Sequence, residues 1–484
     1  MRKIVLFLLA LMTVCPVLSQ DGIRIRSCRP GLENRERAHT AHRVSAIKGT
    51  RRSSDNPYIG DRRQLVVMAA FADKGFKGDS VSTLAQWDTI FNAKRLTDSL
   101  FCGSLHDYFF DQSYGQLRLS FDLYYMTVDS MVKYRSTSSD DENSKYLVQD
   151  VSEQLDAKID DWAPYDWDGD GYVEQLVIVF AGMGQQDGGG NNAIWPHQWW
   201  MSEHEDVSPV KVQGADKEYF INTSCCVQEL SGKDNYGSFG TLCHEYTHCF
   251  GLPDFYYGSN KTVGAWDLMD CGNYNGDGFL PCGYSAFERA FMGWLTPEEL
   301  TDMQIVEGLP ALSDQPKAYI IRNDAHPDEY YVIENRQQTG WDEKLPGSGI
   351  LIFHVDYDDY IFREAFPNTR NEKRYTIFPA NDESYPSNNN IKGWAYPYNG
   401  NDSLTNTSKP AAELNNQNSD STLYMNKPIT GMAVAGGLAR FRFCYPVSTG
   451  IGPVRKESAT DGGWFTIDAG RGLYIRDGKV VWIR

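Results

Sequence analysis

Residues 242–254 read Leu-Cys-His-Glu-Tyr-Thr-His-Cys-Phe-Gly-Leu-Pro-Asp, and the rest of the chain is interpreted around this stretch. If the stretch is helical, His244 and His248 lie one turn apart on one face, where both imidazoles can reach a single Zn²⁺ ion. Glu245 then points beside that face, where its carboxylate can take a proton from a metal-bound water. The pattern therefore predicts a hydrolytic zinc site.

The residues after the second histidine predict how this helix ends. Gly251 readily adopts the left-handed conformation that closes a helix, and Pro253 keeps the helix from resuming. The turn brings Asp254, ten residues after His244, back toward the metal as a third ligand. Two imidazoles, one carboxylate and one open position for water describe a catalytic zinc centre.

The sequence around this centre resembles a known protease family. Three segments carry the resemblance: HEYTHCFGLPDFYY (244–257), GAWDLMDCGNYNG (264–276) and SAFERAFMGWL (285–295). They are similar to the secreted bacterial zinc metalloproteases of the immune inhibitor A type, which are related to the metzincins. The resemblance implies a metzincin-like catalytic domain within an α+β fold.

The family also implies a role for each residue of the centre. The two histidines of the motif would bind zinc, and the glutamate between them would be the general base. Met269 would form the hydrophobic floor beneath the metal. Asp254 matches the metzincin spacing for the third ligand, and the sequence leaves Asp267 and Glu288 open as alternatives.

The charge balance separates the beginning of the chain from the rest. The 484 residues carry a net charge of −18, which argues against nucleic acid and anionic membranes as partners. Residues 1–55 instead hold 11 Lys and Arg against 4 Asp and Glu, a net charge of +7. A basic leader before an acidic body is typical of an electrostatically docked propeptide.

The first 60 residues predict export and activation. Residues 1–20 have the pattern of a secretory signal peptide, with Arg2 and Lys3 before an apolar core too short to span a membrane. Residues 21–60 are polar and Arg-rich and are predicted to be a propeptide or linker. Cys28 invites a latency mechanism in which its thiolate occupies the open zinc position, although the resemblance does not supply that switch. We therefore expect a secreted or cell-surface zymogen.

The cysteines add an expectation about disulfides. Nine of them remain after signal-peptide cleavage, and this odd number implies disulfides plus at least one free thiol in an oxidising compartment. Cys271 and Cys282 bracket a loop rich in Gly and Asn, so we expect this pair to be bridged.

Residues 166–174 read Asp-Trp-Asp-Gly-Asp-Gly-Tyr-Val-Glu and form a second group of acidic side chains. Asp166, Asp168 and Asp170 occupy the first, third and fifth positions of a calcium-binding loop. Glu174 falls at the ninth position, but the bidentate glutamate that ends a standard EF-hand loop is missing. Because clustered carboxylates repel one another without a cation, we predict a structural Ca²⁺ site.

The remaining chain divides into three predicted parts. Residues 61–300 are predicted to be the zinc metalloprotease catalytic domain, and residues 301–445 a β-sandwich-like domain. Short apolar runs between turn residues support the second assignment; they are residues 318–321, 330–334, 349–355, 375–378 and 437–444. Residues 384–422, rich in Asn and Ser, are expected to form an extended surface loop.

Residues 446–484 are predicted to be a linker and a short β tail, with a hairpin turn at Asp477-Gly478. The tail is similar to the carboxy-terminal sorting tails of secreted Bacteroidetes proteins, which implies a secretion machinery as a partner.

Together these patterns predict a secreted, monomeric zinc endopeptidase that acts on protein and peptide substrates and is stabilised by Ca²⁺. The alternative is a surface or glycan-binding adhesin whose protease domain is vestigial, which the β-rich half of the chain and its aromatic residues motivate.

Overall fold

The computed structural model describes residues 56–135, 143–203, 206–231, 235–257, 262–364, 366–383 and 391–444, together with the backbone of three later strands. The predicted signal peptide, the propeptide up to residue 55 with Cys28, and the linker after residue 445 lie outside the described residues. Within these ranges, no helix is long and apolar enough to cross a membrane.

The described chain mixes helices and strands, and the fold is α+β as the sequence predicts. The α-helices are α1 (Ser80–Asn92), α2 (Leu105–Gln112), α3 (Ser144–Asp156), α4 (Phe239–Thr247), α5 (Ala286–Phe291) and α6 (Asp359–Glu364). The strands in the first part are β1 (Gly60–Phe71), β2 (Leu117–Val128), β3 (Tyr172–Val173), β4 (Leu176–Met183), β5 (His197–Trp200), β6 (Val210–Gln213), β7 (Glu218–Ile221), β8 (Thr223–Ser231) and β9 (Asn235–Tyr236). The later strands are β10 (Glu298–Glu299), β11 (Gln304–Leu309), β12 (Tyr319–Arg322), β13 (Glu329–Arg336), β14 (Gly349–Asp356), β15 (Tyr375–Ile377), β16 (Ile429–Ala435), β17 (Leu438–Phe443), β18 (Phe465–Ile467), β19 (Leu473–Arg476) and β20 (Lys479–Trp482).

A six-stranded sheet organises the first part of the chain. Its strand order is β2-β1-β4-β8-β5, with β9 paired to β8. The strands β2, β1, β4 and β8 run parallel, whereas β5 at the edge is antiparallel to β8. The apolar stretches of β1 and β4 are almost entirely buried, as parallel strands covered on both faces require.

The helix α4 carries all but the last residue of the histidine motif and ends where the sequence predicts, close to Gly251. Ser238 is its N-cap and accepts a hydrogen bond from the backbone three residues on. After α4, a 3₁₀ turn at His248–Phe250 stops at Gly251, whose φ is +90°. The hydroxyl of Tyr246 donates to Gln64 on β1 over 2.9 Å, which anchors α4 to the sheet.

A five-stranded sheet has the order β10-β12-β13-β14-β15, and its strands β13 and β14 are almost entirely buried. Its paired residues Val332 and Phe353 belong to the core shared with the first part of the chain. The next pair, Ile333 and Ile352, lies in a second core that the antiparallel sheet β11-β17-β16 helps to form. The main core thus continues past residue 300, and the domain boundary placed there stays a prediction.

A buried ion cluster joins α5 to this second sheet. The guanidinium of Arg336 donates to both carboxylate oxygens of Asp342, over 2.8 and 2.6 Å. It also donates to Glu334 over 3.1 Å and to the carbonyl of Gly283 over 2.9 Å. Glu334 in turn accepts from the backbone of Ala286, at the start of α5, over 2.6 Å. Two buried carboxylates therefore depend on one guanidinium.

Part of the expected surface loop is packed inside the protein. Tyr396 and Leu404 are fully buried and belong to the second core, so the prediction of a surface loop over residues 384–422 is wrong for these side chains. Turns separate the buried residues, and such a segment has no strand or helix period by which the sequence could identify it.

The expected disulfide is not formed. Cys271 and Cys282 are both buried thiols in the structure. The backbone amide of Cys282 donates to the carbonyl of Gly272, and the Cys282 sulfur occupies the space where a Cβ on Gly272 would lie. The sulfur therefore packs onto a glycine rather than onto the other cysteine.

The tail contains strands, as the sequence predicts. The strands β18, β19 and β20 form an antiparallel sheet, and Arg476 is paired with Lys479. The predicted turn at Asp477-Gly478 lies outside the described residues.

Replacing Arg336 by Met should lower the free energy of unfolding by about 3–5 kcal/mol, because two buried carboxylates lose their compensating charge. Urea unfolding measures this change. The matched variant Arg118→Met breaks an exposed pair with Asp61 and an exposed hydrogen bond to the carbonyl of Gly115, and it should unfold at nearly the wild-type urea concentration. Equal urea midpoints for the two variants would show that the buried cluster stabilises the protein no more than the exposed pair does.

Candidate metal centre

The end of α4 and the turn that follows bring two histidines and one aspartate together. The imidazole centroids of His244 and His248 are 5.0 Å apart, and the rings are nearly perpendicular. The Nε2 atoms of the two histidines lie 3.0 and 3.5 Å from the same oxygen, Oδ1 of Asp254. This group and the acidic loop are the two clusters of possible metal ligands among the residues that the structure describes.

Backbone carbonyls fix which ring nitrogen faces the cluster. Nδ1 of His244 lies 2.9 Å from the carbonyl oxygen of Leu268, and Nδ1 of His248 lies 2.7 Å from that of Leu252. Because a carbonyl can only accept a hydrogen bond, each Nδ1 carries the hydrogen and each neutral ring presents a lone pair at Nε2. Metal-bound histidines are held in this way.

The cluster consists of acceptors that need a cation between them. The Nε2 atom of His244 and the Oδ1 atom of Asp254 are buried and make no hydrogen bond of ordinary geometry, although they are 3.0 Å apart. Two lone pairs at this distance repel each other unless a proton or a metal ion lies between them. Two imidazole nitrogens and a carboxylate oxygen are donors that Zn²⁺ prefers, so the residues present fit a zinc ion.

The pKa values of this group show how strongly its members interact. Burial lowers the pKa of His244, but the Asp254 carboxylate outweighs that effect and raises it to about 9. Burial alone would raise the pKa of Asp254, but His248 and His244 lower it below its ordinary value. The pocket therefore favours a negative carboxylate facing a positive charge.

The two alternative third ligands lie elsewhere. Asp267 accepts hydrogen bonds from the backbone of Met269 and from the hydroxyl of Tyr375, both over 2.9 Å. Glu288 accepts from the backbone of Ser285 over 2.6 Å, as part of the capping box of α5. Of the three carboxylates that the sequence leaves open, Asp254 is the one that the structure brings to the histidines.

The remaining predicted residues of the centre are buried beside it. Glu245 is only 3% exposed. Burial raises its pKa, while the neighbouring His244 and His248 oppose that shift. Met269 is fully buried and directly follows Leu268, whose carbonyl orients one imidazole.

The acidic loop brings three of its four predicted residues together. One oxygen from each of Asp166, Asp168 and Glu174 lies within 4.8 Å of the others. Asp170 lies outside this group, and its carboxylate accepts from a backbone amide two residues on. The ammonium group of Lys217 lies 3.1 Å from Asp166, so one positive charge already balances part of the cluster.

Electrostatics in the acidic loop favour a further cation. Burial raises the pKa of Glu174 well above its ordinary value, and the carboxylates of Asp168 and Asp166 raise it further. The carboxylate of Glu174 also accepts from the backbone amide of Trp167 over 2.7 Å. A bound cation would remove the repulsion that Glu174 experiences.

Two residues that sequence reasoning missed, both in the β-rich part, contact the chain next to the metal centre. The side chain of Asn368 and the ring of Tyr375 both contact Phe255, the residue after Asp254. Tyr375 lies in a predicted strand, but more than a hundred residues separate both side chains from the centre. No local pattern could have revealed contacts over that separation.

Comparison with known proteins places a catalytic domain around this centre. Residues 86–295 match the family model of the immune inhibitor A peptidase M6 catalytic domain. The chain is 27% identical over 195 residues to the pre-pro-metalloprotease PrtV of two Vibrio cholerae serotype O1 strains, a match that covers 34% of this chain and 21% of that protein. It is 29% identical over 152 residues to immune inhibitor A of Bacillus thuringiensis subsp. alesti, covering 28% of this chain and 22% of that protein. The chain thus spans about a fifth of the length of the curated relatives it matches.

Zinc added to protein stripped of metal by a chelator should release protons below a pH of about 9, because the raised pKa of His244 keeps it protonated there. The apparent zinc affinity should therefore rise with pH and level off above that value. Titration calorimetry in buffers of different ionisation enthalpy measures the protons released.

The Asp254→Asn variant should bind zinc more weakly and release fewer protons, since the carboxylate that raises the pKa of His244 is gone. The matched variant His106→Ala removes a buried histidine bonded to the carbonyl of Leu119 and should bind zinc normally. An affinity that does not change with pH would contradict the assigned role of His244.

Proposed function

We propose, from the peptidase M6 catalytic domain that residues 86–295 match, that this protein is a zinc-dependent endopeptidase. Its substrates would be extracellular proteins and peptides. His244, His248 and Asp254 would bind the zinc ion, Glu245 would be the general base, and the turn at Met269 would form the floor of the site.

One observation carries this proposal. Two imidazoles whose Nδ1 atoms face carbonyls direct their Nε2 atoms at one carboxylate oxygen, 3.0 and 3.5 Å away. A single proton can join only one of these nitrogens to the oxygen, whereas a metal ion can bind all three atoms at once. The arrangement therefore has the donor set of a zinc site.

The chemistry of the residues suits peptide hydrolysis. A zinc ion held by three protein ligands lowers the pKa of a bound water and polarises the scissile carbonyl. Glu245 would take a proton from the attacking water and deliver it to the leaving amine. Its burial raises its pKa above the ordinary value for a glutamate, which makes the carboxylate a stronger base.

We also propose that the protein is exported and activated by cleavage. The pattern of residues 1–20 supports a signal peptide, and the basic segment up to residue 60 supports a propeptide. The Vibrio relative is named a pre-pro-metalloprotease, which agrees with this organisation. The proposal also includes a sandwich-like domain over residues 301–445 and a sorting tail over residues 446–484 that a secretion machinery recognises. The protein would act as a monomer.

A structural Ca²⁺ ion in the acidic loop is a further part of the proposal. Three carboxylates approach one another, and Lys217 supplies a single positive charge to them. Both carboxylate oxygens of Asp166 accept backbone hydrogen bonds from the loop, which holds its position for a ligand.

Replacing Glu245 by Gln should reduce kcat/KM for a peptide substrate by roughly 10²–10⁴-fold, because the proton acceptor is lost. The zinc content, measured by atomic absorption, should stay at the wild-type level. The exposed Glu343→Gln variant serves as the control and should keep full activity. Undiminished hydrolysis by Glu245→Gln would remove this residue from the mechanism.

Casein digestion with and without a chelator tests the function itself. The endopeptidase should lose its activity with the chelator and regain it with added zinc. Absent or chelator-insensitive digestion by the processed protein would favour the adhesin alternative.

Calcium at about a hundred times its Kd should stabilise the protein by about 2.7 kcal/mol, seen as a higher melting temperature. The Asp168→Asn variant should lose most of this response, because its carboxylate belongs to the group of three. The neighbouring variant Asp170→Asn should keep the response, since its carboxylate lies outside that group. Equal responses from the two variants would contradict the ligand set.

A further inference from the structure

The segment before β15 holds the chain beside the metal centre. The side-chain amide of Asn368 donates to the carbonyl of Phe255 over 2.8 Å and to the hydroxyl of Thr262 over 2.9 Å. Its side-chain oxygen accepts from the backbone amides of Arg374 and Tyr375, both over 3.0 Å. Asn368 is fully buried, so its hydrogen bonds join the β-rich part to the residue after Asp254 without solvent between them.

Tyr375 contacts the same residue and the turn below the metal centre. Its ring stacks on Phe255 with centroids 3.9 Å apart and planes inclined by 30°. Its hydroxyl donates to Asp267 over 2.9 Å and lies 3.0 Å from the hydroxyl of Ser285. The other oxygen of Asp267 accepts from the backbone of Met269 over 2.9 Å.

The two contacted segments are bonded to each other. The amide of Phe255 donates to the carbonyl of Met269 over 2.9 Å. Leu268, between Asp267 and Met269, provides the carbonyl that orients the imidazole of His244. A displacement of β15 would therefore shift both the carboxylate of Asp254 and the carbonyl of Leu268, which orients His244.

These contacts hold the segments beside the metal ligands in position, in addition to filling the core. Partners that orient metal ligands typically change metal affinity by 10–100-fold when they are removed. Both Asn368 and Tyr375 lie outside residues 86–295, the segment that matches the catalytic-domain family model. The matched segment alone therefore lacks part of the support for its metal centre.

We infer that Asn368 and Tyr375 are positioning residues for the metal centre, and that they set the geometry of Asp254 and His244 through Phe255 and Asp267. The inference rests on the proposed function in so far as the centre is taken to bind a catalytic zinc ion. It deepens that proposal by making the β-rich part a component of the active site.

The test compares two tyrosine variants of the full chain. Tyr375→Phe removes one hydroxyl, and with it the hydrogen bond to Asp267. Tyr331→Phe is the matched control, because it removes a buried hydroxyl that donates to the carbonyl of Glu413 over 2.7 Å in the second core. Phe255→Leu, which removes the stacking on Tyr375 together with edge contacts to Phe287 and Phe362, is a second variant in case Tyr375→Phe folds poorly.

Three properties are measured for each protein: zinc affinity, the visible absorption of the Co²⁺-substituted protein, and kcat against KM for a peptide. Tyr375→Phe should weaken zinc binding by about tenfold or more, shift the Co²⁺ bands and lower kcat with little change in KM. Tyr331→Phe should match the wild type in all three. Phe255→Leu should shift the Co²⁺ bands in the same way as Tyr375→Phe.

The outcomes separate this inference from the proposed function. Wild-type zinc affinity and Co²⁺ bands in Tyr375→Phe and Phe255→Leu would overturn the positioning role. Equal losses in Tyr375→Phe and Tyr331→Phe, in step with their melting temperatures, would also overturn it, since they would show a merely structural effect. A wild-type protein without zinc-dependent hydrolysis, but with Co²⁺ bands that shift in Tyr375→Phe, would refute the proposed function and leave the positioning role standing.

Discussion

The hydrogen bonds from two histidines to backbone carbonyls are the constraint on which the rest of the centre depends. The carbonyls of Leu268 and Leu252 take the Nδ1 hydrogens, so both rings turn their Nε2 atoms toward Asp254. Without these carbonyls, either imidazole could rotate and turn its Nε2 atom away from the carboxylate. The position of two backbone segments therefore decides whether the cluster suits a cation.

The protein interior around these segments accommodates buried carboxyl groups in two different ways. Glu334 and Asp342 are compensated by the guanidinium of Arg336. Asp267 and Glu288 receive less help, and burial raises the pKa of both carboxyl groups above their ordinary values. Asp267 raises the pKa of Glu288 further, so this pair favours retaining a proton under conditions where exposed carboxyl groups are ionised.

The parts of the structure that follow from local patterns could be predicted from the sequence. The helix stop at Gly251 and the strand around residues 349–355 depend on neighbouring residues and appear where expected. The contacts of Tyr375 and the burial of Tyr396 depend on partners far along the chain, which no local period encodes. The Cys271–Cys282 bridge failed for the same reason, because a short loop does not determine where the sulfurs point.

The sheet from β10 to β15 separates the two hydrophobic cores, and each of its faces packs against a different part of the protein. A catalytic segment that ended at residue 295 would lack this sheet and would not be a self-contained folding unit. Gene fusion or recombination could move it into a new protein only together with residues 296–444. Diversity among chains built on this plan should therefore accumulate in exposed loops, where exchange leaves the shared sheet intact.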